Sequence, residues 1–277
     1  MINKYFLAFF LATALVGCGG SGEDLSSSMD GSGDGSSGGS GGTTNQSAEG
    51  LWVGQITSQK EGAPISSIGI IRPTTGEYFF ATNSDYSTLI NGTGFIEGSK
   101  ITSKDFVNPD SKLGAKSGTF EGSVVTSKTL LINEFSLGSN KVSGTFSFAS
   151  LYNTGSNLNK LTGEYGSTVD SQIKYSFEFK NPSADKTNFI GTSSNLNCQY
   201  LGTLSLIDAT KNIYRLTDLT IEKYDTRDNI QCNQSSTVNS ALSGYAAFVE
   251  VGGKTSLLLL AINDVKNTTF SAVLNKK

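Results

Sequence analysis

Histidine is absent from this 277-residue chain, and cysteine occurs only three times. Without histidine, the chain has no Ser-His-Asp or Cys-His catalytic arrangement and no HExxH zinc site. It also lacks the imidazole group that moves protons near neutral pH in many enzymes. These absences exclude histidine-dependent hydrolase chemistries, whereas carboxylate pairs could still support hydrolysis.

An excess of basic residues is also missing. The chain carries 21 Lys and Arg against 24 Asp and Glu. Lys4 lies in the N-terminal segment and four of the acids lie between Gly19 and Gly42, so residues 43–277 hold 20 bases and 20 acids. A neutral folded part with scattered charges lacks the basic footprint of a nucleic-acid-binding protein. We therefore expect no nucleic acid among the partners.

The apolar run at the N-terminus, Tyr5–Val16, is about a dozen residues long. A transmembrane helix needs about 20 apolar residues, so with Lys4 before it the run predicts the core of a signal peptide. It ends in Leu15-Val16-Gly17-Cys18, which resembles the bacterial lipobox, where the chain is cut before an acylated cysteine. The resemblance implies a lipoprotein signal peptide over residues 1–17, cleavage between Gly17 and Cys18, and a lipid on Cys18. An ordinary secretory peptide with an incidental cysteine is the alternative.

A Gly/Ser-rich segment follows this cysteine. Between Gly19 and Gly42, 18 of 24 residues are Gly or Ser, and none is Lys or Arg. Such a segment cannot bury enough apolar surface to fold, so residues 18–47 are predicted to be a lipidated cysteine and a flexible tether with a reach of about 25–30 Å. Gly19 and Gly20 stand where an Asp favours inner-membrane retention in enterobacterial lipoproteins. That resemblance implies the outer membrane and leaves the leaflet open.

The two other cysteines, Cys198 and Cys232, are predicted to form a disulfide. An exported chain enters an oxidising compartment, where a cysteine pair normally becomes oxidised. The bridge would close a loop of about 35 residues and stabilise the fold by about 3–4 kcal/mol in the chain-entropy model. A reactive thiol would lack a neighbouring histidine or a CxxC spacing, and two thiolates are too few for the usual structural zinc. We expect no metal and no cofactor.

The rest of the chain has the period-two pattern of β-strands. In "QIKYSFEFK", Ile173, Tyr175, Phe177 and Phe179 share one face while charged and polar residues share the other, as in a sheet with one buried face. Trp52 is interpreted as a barrel plug or core residue, and a residue that stacks on a ligand is the alternative. Three consecutive aromatic residues at 78–80 must occupy both faces of a strand, which points to a binding surface.

Sixteen candidate strands fall into two sets of eight. Eight meandering strands can close into a barrel, and closure removes exposed edges. We therefore predict an all-β protein with two tandem eight-stranded antiparallel, lipocalin-like barrels, at residues 48–152 and 159–277. One large β-sandwich or barrel is the alternative. The candidate strands lie near 51–57, 65–72, 77–83, 88–96, 99–106, 117–125, 129–135, 142–150, 160–168, 171–180, 188–193, 200–207, 213–222, 242–250, 255–262 and 268–274.

The order of several short segments supports this architecture. The chain resembles a family of bacterial surface lipoproteins with tandem β-barrel domains. The resemblance lies in the order of these segments: the lipobox, the Gly/Ser tether, "GLWVGQI", "GIIRPTTGEYFF", "SGTF", "LTGEY", "NCQYLGTLSL", "IYRLTDLTI" and "LSGYAAF". The resemblance covers most of residues 48–274. Its motifs are structural glycines and core positions, so it implies the fold and transfers no catalytic residue. In build only, the chain also resembles surface lipoproteins whose barrel lobes bind host proteins.

These observations together predict a lipid-anchored envelope protein that binds a partner and is not an enzyme. The candidate partners are a host or envelope protein, a glycan, or a small apolar ligand in a barrel lumen. Aromatic or arginine side chains in loops near Tyr86, Tyr152 and Tyr224–Arg227 could anchor an interface. A carboxylate-dependent hydrolase and a purely structural envelope protein are the alternatives. A cleft with two facing carboxylates would favour the hydrolase, and filled lumens would favour binding at the surface.

Overall fold

Antiparallel strands occupy most of the part of the chain that the structure describes. In this computed structural model, the described residues are 47–58, 62–72, 74–82, 88–97, 100–108, 116–137, 140–167, 173–180, 182–224, 232, 241–264 and 268–277. Gly17, Cys18 and residues 19–46 lie outside these ranges, so the signal peptide, the lipidation site and the tether stay predictions. Among the described residues, no helix is long and apolar enough to cross a membrane.

The first sheet is a meander that nearly closes on itself. Its first and last strands pair with Gln55 opposite Thr145, and the far side joins β4 to β6 at Asn91 and Val107. The short β5 and β4 both pair with β6, so together they take one place in a ring of eight. The strands are β1 Gly50–Ser58, β2 Pro64–Arg72, β3 Glu77–Thr82, β4 Thr88–Thr93, β5 Phe95–Glu97, β6 Lys100–Asn108, β7 Lys116–Thr126, β8 Thr129–Leu137 and β9 Asn140–Phe148.

The second sheet is a closed eight-stranded barrel. Its first and last strands pair with Tyr165 opposite Lys276. A 3-10 helix, Ser150–Thr154, and a short helix α1, Leu158–Leu161, connect it to the first sheet. Its strands are β10 Gly163–Ser167, β11 Tyr175–Lys180, β12 Lys186–Ser193, β13 Cys198–Leu206, β14 Tyr214–Lys223, β15 Leu242–Val251, β16 Lys254–Asn263 and β17 Thr269–Lys276.

The predicted fold class is confirmed, and the single large sandwich is not what forms. The two sets of eight predicted strands correspond to the two sheets, at residues 50–148 and 163–276. Both sheets belong to one compact unit, Thr44–Lys277. The sheets lie within the predicted domain ranges 48–152 and 159–277, and independent folding of each range stays a prediction.

Glycines inside the strands make room for the aromatic residues that fill both barrels. A side chain at Gly54 would place its Cβ 2.9 Å from Phe146 Cγ, and one at Gly191 would meet the ring of Phe177 at 2.5 Å. In each case the ring belongs to the residue directly opposite the glycine on the neighbouring strand. The same cross-strand pairing of an inward glycine with an inward ring occurs at Gly69 and Phe80, Gly92 and Tyr78, and Gly202 and Phe189.

The two barrels pack against each other through apolar side chains on their outer faces. In β3, Tyr78 and Phe80 point into the first barrel, while Phe79 points outward and meets Tyr245 of the second barrel edge-on at 5.5 Å. In β16, the alternate leucines Leu258 and Leu260 face this contact, and both are fully buried. These strands are apolar at successive positions because one face lies in a barrel core and the other lies between barrels.

Two polar clusters flank this apolar contact. In one, Tyr245 Oη donates to Glu77 Oε2, and Arg215 Nη1 lies 3.3 Å from the same oxygen and donates to Tyr245 Oη at 2.8 Å. Because Glu77 belongs to β3, the cluster connects the β2–β3 hairpin to the second barrel. In the other, Tyr152 Oη donates to Glu49 Oε1 at 2.5 Å, beside the connection between the sheets.

Candidate binding surface

The interior of the first barrel is filled with side chains. The Phe80 ring lies 5.3 Å from Phe146 and 5.6 Å from Phe135, and Phe120 stacks on Phe135 at 4.7 Å. Trp52 is 1% exposed and donates from Nε1 to the Ala48 carbonyl at 3.1 Å, so its interpretation as a core residue is confirmed. Rings at these spacings form a packed core and not a ligand cavity.

The second barrel is filled in the same way. Phe177, Tyr200 and Phe270 contact one another with ring centroids 5.2–6.1 Å apart, and Tyr175 packs on all three. Burial raises the pKa of Tyr165, which closes the barrel beside β17, to about 12.

Because both barrel interiors are filled with side chains, any partner would have to be recognised on the outer surfaces of the barrels.

The predicted disulfide is present. Cys198, at the start of β13, is bonded to Cys232, with their Cα atoms 5.0 Å apart. Both cysteines are buried against the core of the second barrel, so neither supplies a thiolate for chemistry or metal binding. Among the described residues, no group of three or more His, Cys, Asp or Glu side chains is placed to hold a metal ion.

Of the loop tyrosines predicted as anchors, Tyr152 is buried and Tyr224 is exposed. The prediction of Tyr152 as an anchor is wrong, because its side chain is 2% exposed and its hydroxyl group donates a hydrogen bond to Glu49. Phe79 is also not at a free surface, since it lies between the barrels. Tyr224 is 58% exposed, as predicted, whereas Tyr86 and Arg227 lie outside the described residues.

A groove with a volume of about 700 Å³ lies on the outer face of β8, β9 and β1. Side chains on the middle strand alternate with the inward Gly144 and Phe146, so Ser143, Thr145 and Ser147 project outward and are exposed. Across the neighbouring strands, Gln55 and Leu131 both stand opposite Thr145. The resulting patch of side chains covers three strands, about 4.7–4.9 Å apart.

Two glycines in the lining of the groove face the core of the first barrel. A Cβ at Gly144 would lie 2.9 Å from Phe146 Cε2, and a Cβ at Gly54 would lie 2.9 Å from Cγ of the same ring. The absence of side chains at both positions leaves room for the Phe146 ring in the core beneath the groove.

The groove is electrically neutral. Its lining comprises short polar and apolar residues, and its polar side chains come from Gln55, Thr57, Asn133, Ser143, Thr145 and Ser147. The carboxylate of the adjacent Glu134 is paired with a lysine, since its Oε2 accepts from Lys141 Nζ at 2.7 Å. This hydrogen bond is the largest effect that lowers the pKa of Glu134. The charges beside the groove therefore neutralise each other.

A second, smaller hollow on the outer face of the second barrel contains a pair of facing carboxylates. Glu164 of β10 stands opposite Glu178 of β11, beside a space of about 240 Å³. A general acid in a glycosidase pair needs a carboxyl group shielded from water. Here the side chains of Glu164 and Glu178 are 64% and 41% exposed, and lysine ammonium groups lie 3.6 and 2.9 Å away. This arrangement lacks the shielding that a general acid needs.

The groove is not apparent from the amino-acid sequence. The alternation of Ser143, Thr145 and Ser147 with Gly144 and Phe146 is a usable signal, because it predicts an outward row of hydroxyl groups. The partners of that row lie far away in the sequence, on β1, and only the β1–β9 pairing brings them together.

Comparison with known proteins finds few similarities. No family model and no curated protein matches the chain. Among solved structures, it is similar to Aeromonas veronii immune modulator A, with 12% sequence identity and a TM-score of 0.42 over 83% of this chain and 94% of that chain. A likeness of this size identifies neither the fold nor the function.

Proposed function

We propose that this protein is a lipid-anchored module of the cell envelope that binds its partner on the outer surface of its barrels and catalyses no reaction. The observation that carries the proposal is the filling of both barrel interiors by aromatic side chains. A filled barrel cannot enclose a ligand as an open one does. Recognition then falls to outward side chains, and the groove on β8, β9 and β1, with a volume of about 700 Å³, offers an outward surface for it.

The anchoring part of the proposal is supported by the sequence register of Leu15 to Cys18 and by the tether that follows. Two or three acyl chains hold a protein on a membrane stably, whereas one gives marginal binding. A tether with a reach of about 25–30 Å would let the barrels stand clear of the membrane surface. By the same resemblance, the membrane is the bacterial outer membrane.

The non-enzymatic part is supported by the chemistry of the available groups. The chain has no histidine, and its described cysteines are joined in a disulfide. The facing carboxylates Glu164 and Glu178 are exposed and paired with lysines. The hydroxyl groups of Ser176 and Ser183 contact Lys277 Nζ and Asp185 Oδ1 only at the exposed surface, and the facing carboxylates lack the shielding that a general acid needs.

Anchoring is tested with the full chain expressed in a bacterium that processes lipoproteins. The wild type should incorporate labelled palmitate and fractionate with the outer membrane. Cys18→Ser should incorporate none and be released or remain uncleaved, while Ser21→Ala is the matched control with wild-type behaviour. A Cys18→Ser protein that has the mature mass and still fractionates with membranes would contradict the proposed anchor.

Binding is tested with residues 18–277 carrying Cys18→Ser, immobilised and exposed to glycan, envelope-protein and serum-protein panels. We expect one saturable partner, whose binding is lost in Thr145→Trp and kept in Thr119→Trp. Thr119 is the matched control because it is an exposed threonine of β7, in the same barrel and outside the groove. In parallel, the protein is screened against ester, glycoside and peptide substrates. Turnover that disappears on changing a single Asp or Glu, with no saturable partner, would refute the proposal.

A further inference from the structure

We infer that the groove on the outer face of β8, β9 and β1 binds an uncharged glycan. This inference rests on the proposed function and names the chemical class of the ligand. The groove has a volume of about 700 Å³, within the range of about 300–1,000 Å³ of small-ligand sites. Along β1 it extends from Val53 to Thr57, about 13 Å at the rise of an antiparallel strand. A short oligosaccharide has these proportions.

The hydrogen-bonding side chains of the groove are available to a ligand. Gln55 and Asn133 provide amide groups, each with two donors and an acceptor, and Ser143, Thr145 and Ser147 provide hydroxyl groups that can donate or accept. Among the described residues, none of these side chains has a hydrogen-bond partner within the protein. Neighbouring hydroxyl groups on a sugar ring require this combination of donors and acceptors.

On the outer face of the second barrel, some polar groups are already bonded to one another: Thr203 Oγ1 donates to Asn188 Oδ1 at 3.0 Å, and Lys277 Nζ donates to Ser176 Oγ at 3.0 Å. A ligand at those positions would have to replace existing hydrogen bonds. In the groove of the first barrel, it replaces water alone.

The neutrality of the groove selects against charged ligands. No Lys, Arg, Asp or Glu lines it among the described residues. A phosphate, a sulfate or an acidic peptide would lose part of its hydration in the groove and gain no opposite charge in return. Val53 and Leu131 are half-buried in the lining and offer apolar contact to the C–H face of a sugar ring.

A peptide or a second protein fits the groove less well. All three strands are interior to the sheet, with β9 paired to β8 and β1, β8 also to β7, and β1 also to β2. Apart from the register shift between Ile132 and Phe135 in β8, their backbone groups are occupied by neighbouring strands, and a peptide cannot add to them as an extra strand. Protein interfaces usually depend on aromatic or arginine anchors, and within the described part of the chain no aromatic or arginine side chain lines the groove.

The inference is tested on residues 18–277 with Cys18→Ser, using an array of neutral, sialylated and sulfated oligosaccharides. The strongest neutral binder is then titrated by calorimetry. We expect Gln55→Ala to weaken binding about fivefold, the equivalent of one hydrogen bond of about 1 kcal/mol. Thr145→Trp fills the centre of the groove and should weaken binding more than about tenfold. Gln199→Ala, a half-buried amide on the second barrel, and Thr119→Trp should bind as the wild type does.

The outcomes distinguish failure of the inferred ligand class from failure of the proposed binding function. Binding of charged glycans alone, or of a neutral glycan that Thr145→Trp leaves unchanged, would overturn the inference and keep the proposed binding function. A concentration-dependent dimer that Thr145→Trp abolishes would overturn it by making the groove a contact between two copies. Saturable binding of a protein and of no glycan would overturn it as well. No saturable ligand in any panel would overturn both proposals. Thermal unfolding of each variant shows that the fold is kept.

Discussion

Replacing Phe79 by alanine should destabilise both barrels, although Phe79 belongs to the first. The Phe79 ring is 1% exposed and packs edge-on against Tyr245 at 5.5 Å. Truncating a buried phenylalanine costs about 3–5 kcal/mol, of which an aromatic pair contributes about 0.5–1.5 kcal/mol. Against a total stability of about 5–15 kcal/mol, this loss is large. Because the ring lies in the contact between the barrels, the lost free energy is free energy that stabilises this contact.

The comparison variant is Phe80→Ala, one residue further along β3. Phe80 is also fully buried, but its ring points into the first barrel and contacts Phe135 and Phe146. We expect a loss of similar size, about 3–5 kcal/mol. The two variants therefore remove the same atoms at equal burial and differ in which contact they break.

Two probes distinguish the variants. Trp52, the one tryptophan of the chain, lies in the first barrel, so its fluorescence during guanidinium unfolding follows that barrel. Hydrogen exchange of β16, Lys254–Asn263, follows the second barrel. Phe79→Ala should lower the protection of β16 amides and separate the two transitions, whereas Phe80→Ala should act mainly on the Trp52 transition. A loss below about 1 kcal/mol for Phe79→Ala, or unchanged β16 protection, would refute this reasoning.

Three further perturbations test other contacts. Cys232→Ser should lower the stability by about 3–4 kcal/mol through loss of the 34-residue cross-link, and reductant should destabilise the wild type but not the variant in denaturant titrations. Above about pH 10, stability should fall, because burial raises the folded-state pKa of Tyr165 to about 12 and unfolding releases that proton; a stability that stays flat to pH 12 would contradict this. Glu77→Gln should cost about 1–3 kcal/mol because Arg215 and Tyr245 lose their charged partner, whereas Glu164→Gln on the exposed surface should cost less than about 1 kcal/mol by thermal unfolding.

Much of the strand layout can be predicted from the sequence because alternation of side chains is a local property. In "YSFEFK", the alternation fixes which residues of β11 face the core, and the observed burial alternates in the same way. The disulfide is also predictable, since the predicted lipidation of Cys18 would leave two cysteines with a single intramolecular pairing. The absence of histidine likewise limits the chemistry, because no fold can supply an imidazole that the chain does not contain.

The candidate groove cannot be predicted in this way, because its two sides are distant in the sequence. Gln55 and Thr145 become neighbours only when β1 pairs with β9 and the ring of strands nearly closes. Recurring glycines in a sequence of this kind indicate mainly turns. Gly54 and Gly144 instead leave the space that Phe146 fills.

The sequence by itself determined the all-β class, the two sets of eight strands, the cysteine pair and the chemistries that the chain cannot perform. Only the tertiary structure decided what covers the second face of each strand. Alternation shows that Phe79 and Phe80 point in opposite directions, but either direction can lead to solvent, a barrel core or another barrel. Here Phe80 points into the first barrel, and Phe79 points to Tyr245 of the second barrel. The contact between the barrels is favourable because it removes the apolar outer faces of both barrels from water.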